Sequence, residues 1–196
     1  MLSYLSVKGR TERPMPEPTP YDPSGPRYTT EPFPAYRHLP GATPHPRRHP
    51  HGHAFGQQER TAEPFDPARW RSSPCYLYGV DLYNFAYFWE AHEVWEAAWK
   101  TVEAGALPAL FLQGLIQISA ALLKREQRIR DGMESLGRRG FTRLQSVGSV
   151  SPAYCGIDLD EYLRRIEEIF NAGLATGWPA DPRILLTQGK TAEAAS

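Results

Sequence analysis

The sequence predicts an all-α protein: a compact bundle of about five helices behind an irregular N-terminal arm rich in proline and histidine. Apolar residues recur at helical spacing in successive segments from about residue 79 to residue 173. No segment alternates well enough for a sheet, and no internal repeat is present. Fifteen of the nineteen prolines fall in residues 1–74, where each removes a backbone donor and biases its predecessor to extended geometry, so that stretch cannot hold long helices.

The arm reads in two parts. Residues 1–27 carry many prolines and few large apolar groups, and are expected to be disordered; Met15 is an alternative start to Met1. Residues 28–75 differ, because Tyr28, Phe33, Tyr36, Leu39, Phe55, Phe65 and Trp70 supply enough apolar surface for an arm that packs on a body. The bundle is expected over residues 76–173. Residues 79–84 read as a short opening helix, and 85–102 as a strongly patterned one. At about 100° per residue, Phe85, Phe88, His92, Trp95, Glu96 and Trp99 share one face and Trp89 adjoins them, whereas Glu90, Glu93, Ala97 and Lys100 lie toward the opposite side. Pro108 opens the next helix, which is apolar nearly all round from Ala109 to Leu123. Asp131-x-x-Glu134 and Asp158-x-x-Glu161 each read as an N-cap with a Glu three residues on. The faces behind them are Met133, Leu136, Gly140, Leu144 and Val147, then Leu159, Tyr162, Leu163, Ile166, Ile169 and Phe170, with Gly173 as C-cap. Residues 174–196 read as an extended tail, with Ile184-Leu185-Leu186 able to lie over the bundle and 187–196 frayed.

Charge and composition narrow the function. There are 22 basic and 22 acidic side chains among 196 residues, so the electrostatic footprint of a nucleic-acid binder is missing. Arg138, Arg139 and Arg143 are the only local basic cluster. The fifteen-residue, mainly apolar stretch Ala109–Leu123, interrupted by Gln113, Gln117 and Ser119, falls short of the roughly 20 residues a membrane span needs. Two cysteines, Cys75 and Cys155, make neither a disulfide scaffold nor a CxxC metal site, and neither has an evident base partner. Nothing in the first ten residues reads as a signal peptide, and a cytoplasmic location is expected.

Chemistry concentrates on two helices. His92 and Glu96 stand at i, i+4 and meet on one face; Gln113, Gln117 and Lys124 share a face of the following helix. Helices 8–10 Å apart bring such stripes into contact, and one cluster of His92, Glu96, Gln113 and Gln117 avoids four separate buried polar defects, each costing about 1–3 kcal/mol. Three roles stay open for this cluster. It is a structural network fixing helix register; or a site for a divalent metal on His92 and Glu96, with Glu93 as a further ligand; or a pocket in which Glu96 or His92 is a catalytic general acid or base. Glu93 and Trp89 join Gln113 and Gln117 as candidate ligand-binding residues, Trp89, Trp95 and Trp99 being either core or a pocket wall. In the arm, His38, His45, His49, His51 and His53 are a second constellation, either a docked or solvated turn or a metal-binding one. His45 or His53 could fold over the bundle to complete the cluster around His92, with Arg47 and Arg48 placed for an anionic ligand.

WEAHEVWEAAW (Trp89–Trp99) followed by FLQGLIQISAALLK (Phe111–Lys124) resembles the bacterial all-helical family catalogued as domain of unknown function 309. The order Asn84, Glu90-Ala-His-Glu93, Trp95-Glu96, Trp99 and Gln113-Gly-Leu-Ile-Gln117 carries the resemblance, which with GIDLDEYL (Gly156–Leu163) spans roughly residues 76–170. Phe33–Pro46 with Gly52–Gly56 resembles an extension carried by some members. The resemblance implies a helical bundle and no established reaction. Ala86 stands where a glycine is expected between the first two helices, and Lys124 where many members place a histidine, a departure that argues against a metal. Two functions follow: a small-molecule-binding or hydrolase-like protein with its site between the helices at 85–102 and 109–125, or a non-enzymatic interaction module, such as a homo-oligomer, in which the cluster is purely structural.

Overall fold

The computed structural model describes residues 25–187, and residues 1–24 and 188–196 lie outside it. The expected disorder of residues 1–27 and fraying of 187–196 therefore fall almost entirely outside the described residues. Within them the chain is all-α: helices α1 (Pro74–Asn84), α2 (Phe88–Trp99), α3 (Leu107–Glu126), α4 (Arg130–Gly148) and α5 (Leu159–Ala172), preceded by a 3-10 turn, Pro67–Ser72. A hairpin absent from the sequence reading, β1 (Ala153–Tyr154) with β2 (Ile157–Asp158), links α4 to α5. Its two-residue turn, Cys155-Gly156, has φ of 47° and 82°, the left-handed pair that matches strand twist in tight hairpins.

The central helix α3 packs against α2 and α4, α4 also meets α5, and α1 pairs with α2. By length and composition α3 could cross a membrane; over half of its most apolar stretch is buried in this fold. Gly114 and Gly140 set the closest α3–α4 approach, since a Cβ on Gly140 would stand 3.0 Å from the Gly114 carbonyl. α1 begins five residues earlier than expected, at Pro74, with the Ser73 side chain capping Tyr76 N. Nine of its eleven residues are buried, so the side chains of Asp81 and Asn84 must find protein partners. Asn84 closes a two-way amide pair with Ile184, donating to its carbonyl at 2.8 Å and accepting from its N–H at 2.7 Å. The tail's Ile184 is thus held on the bundle, and Leu186 N donates to the Tyr28 hydroxyl of the arm.

Three local expectations need correction. The helix read as 85–102 begins at Phe88, because Phe85–Tyr87 form a break with Ala86 at φ 62°; the missing glycine does not soften that break. Asp131 does not cap α4: its N-cap is Ile129, with no side-chain bond, and Asp131 lies in the first turn, where its charge still suits the helix dipole. On the α4 face it is Gly137 that is buried, while Leu136 is half-exposed, since the Phe170 ring packs where a Gly137 Cβ would stand. By contrast Asp158 accepts from Glu161 N at 3.0 Å, and Gly173 ends α5 at φ 60°.

Candidate functional site

Two buried carboxylates, one on each of the first two helices, hold the arm to the bundle. On α1, Asp81 is fully satisfied: Oδ1 accepts from Tyr28 N at 2.7 Å, and Oδ2 accepts from Thr29 N, Thr29 Oγ1 and Arg27 Nε at 2.9, 2.7 and 3.2 Å. On α2, Glu90 is 4% exposed. Its Oε1 accepts from the His38 backbone N–H at 2.8 Å and lies 3.1 Å from His53 Nε2. Its Oε2 is buried with no hydrogen-bond partner. An ionised Glu90 can only accept, so the His53 contact needs the proton on Nε2.

Glu90 lines a cleft of about 880 Å³ between the arm and α2. One wall is Glu31–Pro34, Arg47, His53, Ala54 and Gln57–Ala62 of the arm; the other is the outer side of α2 from Trp89, with Lys100 and Thr101 just past its end and Tyr78 and Leu82 of α1 behind. The aromatic rings fix the arm here: Phe33 stacks on Tyr87 at 5.0 Å, Tyr36 meets His53 edge-on at 4.7 Å, and Trp89 takes the His38 and His45 rings against it at 5.2 and 5.7 Å. Burial first, and then the nearness of the His45 and His53 imidazoles, pushes the His38 imidazole down to about 4, so it sits neutral with Nδ1 2.9 Å from Thr43 Oγ1.

The two polar stripes expected to confront one another do not. Gln113 and Gln117 turn to α4, where Arg143 donates to both side-chain oxygens, at 2.8 and 2.9 Å. The close Gly114–Gly140 crossing brings that guanidinium within reach. All four of His92, Glu96, Gln113 and Gln117 are half-buried, so the sealed cluster is not formed. His92 Nδ1 lies 3.5 Å from Glu93 Oε1, and Glu96 pairs with Lys100 at 3.3 Å. The hydrogen bond from His92, with Arg47 and Lys100 nearby, holds the Glu93 carboxyl below its usual range against the opposing effect of burial. His92, Glu93 and Glu96 place one donor atom each within 4.8 Å of one another, close enough to share a metal ion after small side-chain movements. Of the candidate residues, Trp89, Glu93 and Glu96 line the cleft; His92, Gln113 and Gln117 do not.

Glu90 was the residue that sequence reasoning missed. It lies opposite the apolar stripe and reads as solvated, until the arm covers that side of the helix. The expected folding-over of a histidine does occur, but His53 comes down on Glu90 rather than on His92. Arg47 lines the cleft and Arg48 does not.

The fold defines a helical-bundle protein with a cleft whose second wall is a non-helical arm. A family model, Domain of unknown function (DUF309), matches residues 76–136, from within α1 into the first turns of α4. No curated protein matches the chain. The matched stretch holds every residue that α1 and α2 give to the cleft, and none of those the arm gives.

Proposed function

We propose that this chain is a small-molecule-binding protein, with its site in the cleft between the arm and α2 and with Glu90 and His53 as an acid–base pair at one side of it. The orphaned Glu90 Oε2 carries this reading. Leaving a buried charged oxygen unpaired costs upward of about 1–3 kcal/mol, and Asp81 shows that the same arm can satisfy a buried carboxylate completely. A cleft of this volume is in the usual range for small-molecule sites, roughly 300–1,000 Å³. In the hydrolase-like form of the proposal, His53 exchanges a proton with substrate while Glu90 orients the ring and steadies its charge.

A fragment library of mixed charge, followed by chemical shifts of the labelled full chain, tests the proposal. Binders that shift the Glu90, His53 and Trp89 resonances support it. A library in which nothing moves these resonances refutes it and leaves the two anchors as structural joints of an interaction module.

The His92–Glu93–Glu96 group favours a second reading, a divalent metal held on the exposed side of α2. Elemental analysis of untagged protein purified without chelator decides it. Stoichiometric metal lost in His92→Ala supports the reading, and a metal content that the substitution leaves unchanged removes it.

A further inference from the structure

We infer that the cleft takes an organic cation, a small molecule whose protonated amine or amidine nitrogen donates to Glu90 Oε2. The inference rests on the cleft being a ligand site and names the chemistry of its ligand.

The argument begins with Oε2. A carboxylate oxygen has lone pairs and no proton, so whatever completes it must bring a donor. The surrounding charge then selects among donors. Five carboxylates line the cleft, Glu31, Glu59, Glu90, Glu93 and Glu96, against the three fixed cations Arg47, Arg60 and Lys100. Arg60 is taken by Glu31 and Lys100 by Glu96, and Arg47 acts on Glu93 while donating to the carbonyls of Gln57 and Gln58 at 3.4 Å. The excess negative charge thus falls to Glu59 and Glu90, and of these Glu90 is the buried one. An anionic ligand would meet that excess with every fixed cation already engaged. Arg47 and Arg48 suggested an anion from sequence alone; in the fold Arg47 is engaged by the Gln57 and Gln58 carbonyls and Arg48 does not line the cleft, which removes the basis for it.

The donor distribution separates an organic cation from a metal ion at this position. Among the described residues the one group of His, Cys, Asp or Glu atoms close enough to share an ion is His92, Glu93 and Glu96, and Glu90 is not part of it. His53 Nε2 is committed to Glu90 Oε1. A metal at Oε2 would therefore find a single protein ligand, where divalent cations gather several. An ammonium or amidinium needs only the one charge-assisted bond, and its carbon skeleton fills the remaining space. Trp89, on the same wall, offers its ring to that skeleton or to the cation itself.

The test is a set matched in shape and varied in charge: benzylamine, benzamidine, benzyl alcohol and benzoate, each titrated into the full chain and followed by backbone and indole resonances. Benzylamine and benzamidine are expected to shift Glu90, His53 and Trp89, and their affinity to fall at least tenfold in Glu90→Gln. That variant keeps an oxygen for His38 N–H and puts a donor where Oε2 was. Glu93→Gln is the second variant, chosen because Glu93 makes no bond to the arm's backbone; it should weaken the amines about threefold by removing one charge. Benzyl alcohol or benzoate moving the same resonances, with binding unchanged in both variants, overturns the cation while leaving the cleft a binding site. If none of these four, nor any member of the mixed library, moves those resonances, the binding reading and the cation fall together.

Discussion

Acid should release the arm through His38. His38 is 5% exposed and its ring lies against Trp89 and the ring of His45, and its backbone N–H is one of the donors to Glu90. Its folded-state value, about 4, stands below the 6.5 of an unfolded histidine. Between those values the unfolded chain binds a proton that the folded chain refuses, so stability falls as pH falls. The contribution is complete above pH 6.5, drains between 6.5 and 4, and is spent below 4. At 2.303RT for each pH unit, the loss over this window reaches up to about 3 kcal/mol, a large part of the roughly 5–15 kcal/mol that stabilises a domain. Urea unfolding at half-unit steps from pH 7.5 to 4, on the parent and on His38→Asn, measures it. Asn keeps a short polar group near Thr43 and cannot take up the proton, so the variant should be less stable at pH 7 and should show the flatter profile. Carboxylates titrate alike in both proteins, and the difference between the curves belongs to residue 38. Parallel curves between 6.5 and 4 would refute the reasoning.

Other expectations follow from single contacts. Gly79→Ala should cost about 1–3 kcal/mol in urea unfolding, because its Cβ would stand 2.1 Å from Nε1 of the buried Trp95, itself bonded to the Tyr76 carbonyl. Asn84→Ala should cost about 2 kcal/mol by leaving the Ile184 backbone unpaired, and limited proteolysis should then cut between residues 174 and 187 while the bundle persists. A double-mutant cycle of His92→Ala with Gln113→Ala should be additive to within about 0.5 kcal/mol, since the two share no partner, whereas Arg143→Ala with Gln113→Ala should show coupling near 1 kcal/mol.

Much of the fold could be read from local pattern because helices announce themselves locally. Pro108 before an apolar run and Asp158 three residues before Glu161 are short-range signals that the tertiary structure had no reason to override. The failures are long-range. The α2 start moved because Ala86 takes a left-handed backbone conformation, whose cost of about 1–2 kcal/mol only the packed surroundings can offset. Arg143, read as part of a basic surface cluster, becomes the partner of two glutamines because of a glycine crossing invisible to a single-helix projection. For the cleft, the sequence pointed to its helix and to Trp89, Glu93 and Glu96, which line it, but passed over the buried Glu90. A helical wheel sorts residues by angle into inside and outside and assumes one covered face. On α2 a second face is covered by a segment with no periodicity of its own.

The arm and tail also bear on how the chain folds. Simple helical bundles fold fast because their contacts are near in sequence. Here α1 is enclosed by partners from both directions: Asn84 is joined to Ile184, 100 residues on, and Tyr28 to Leu186 across 158. When α1 is first synthesised, its amide has nothing to bind and its neighbours in the finished core do not yet exist. Closing such spans carries an entropic cost before any contact repays it, so the joining of tail to arm is expected to come last, over a helix made long before. Refolding of this chain should therefore be slower than its all-helical content suggests, with the bundle's far-UV signal returning ahead of protection at residues 28 and 184–186.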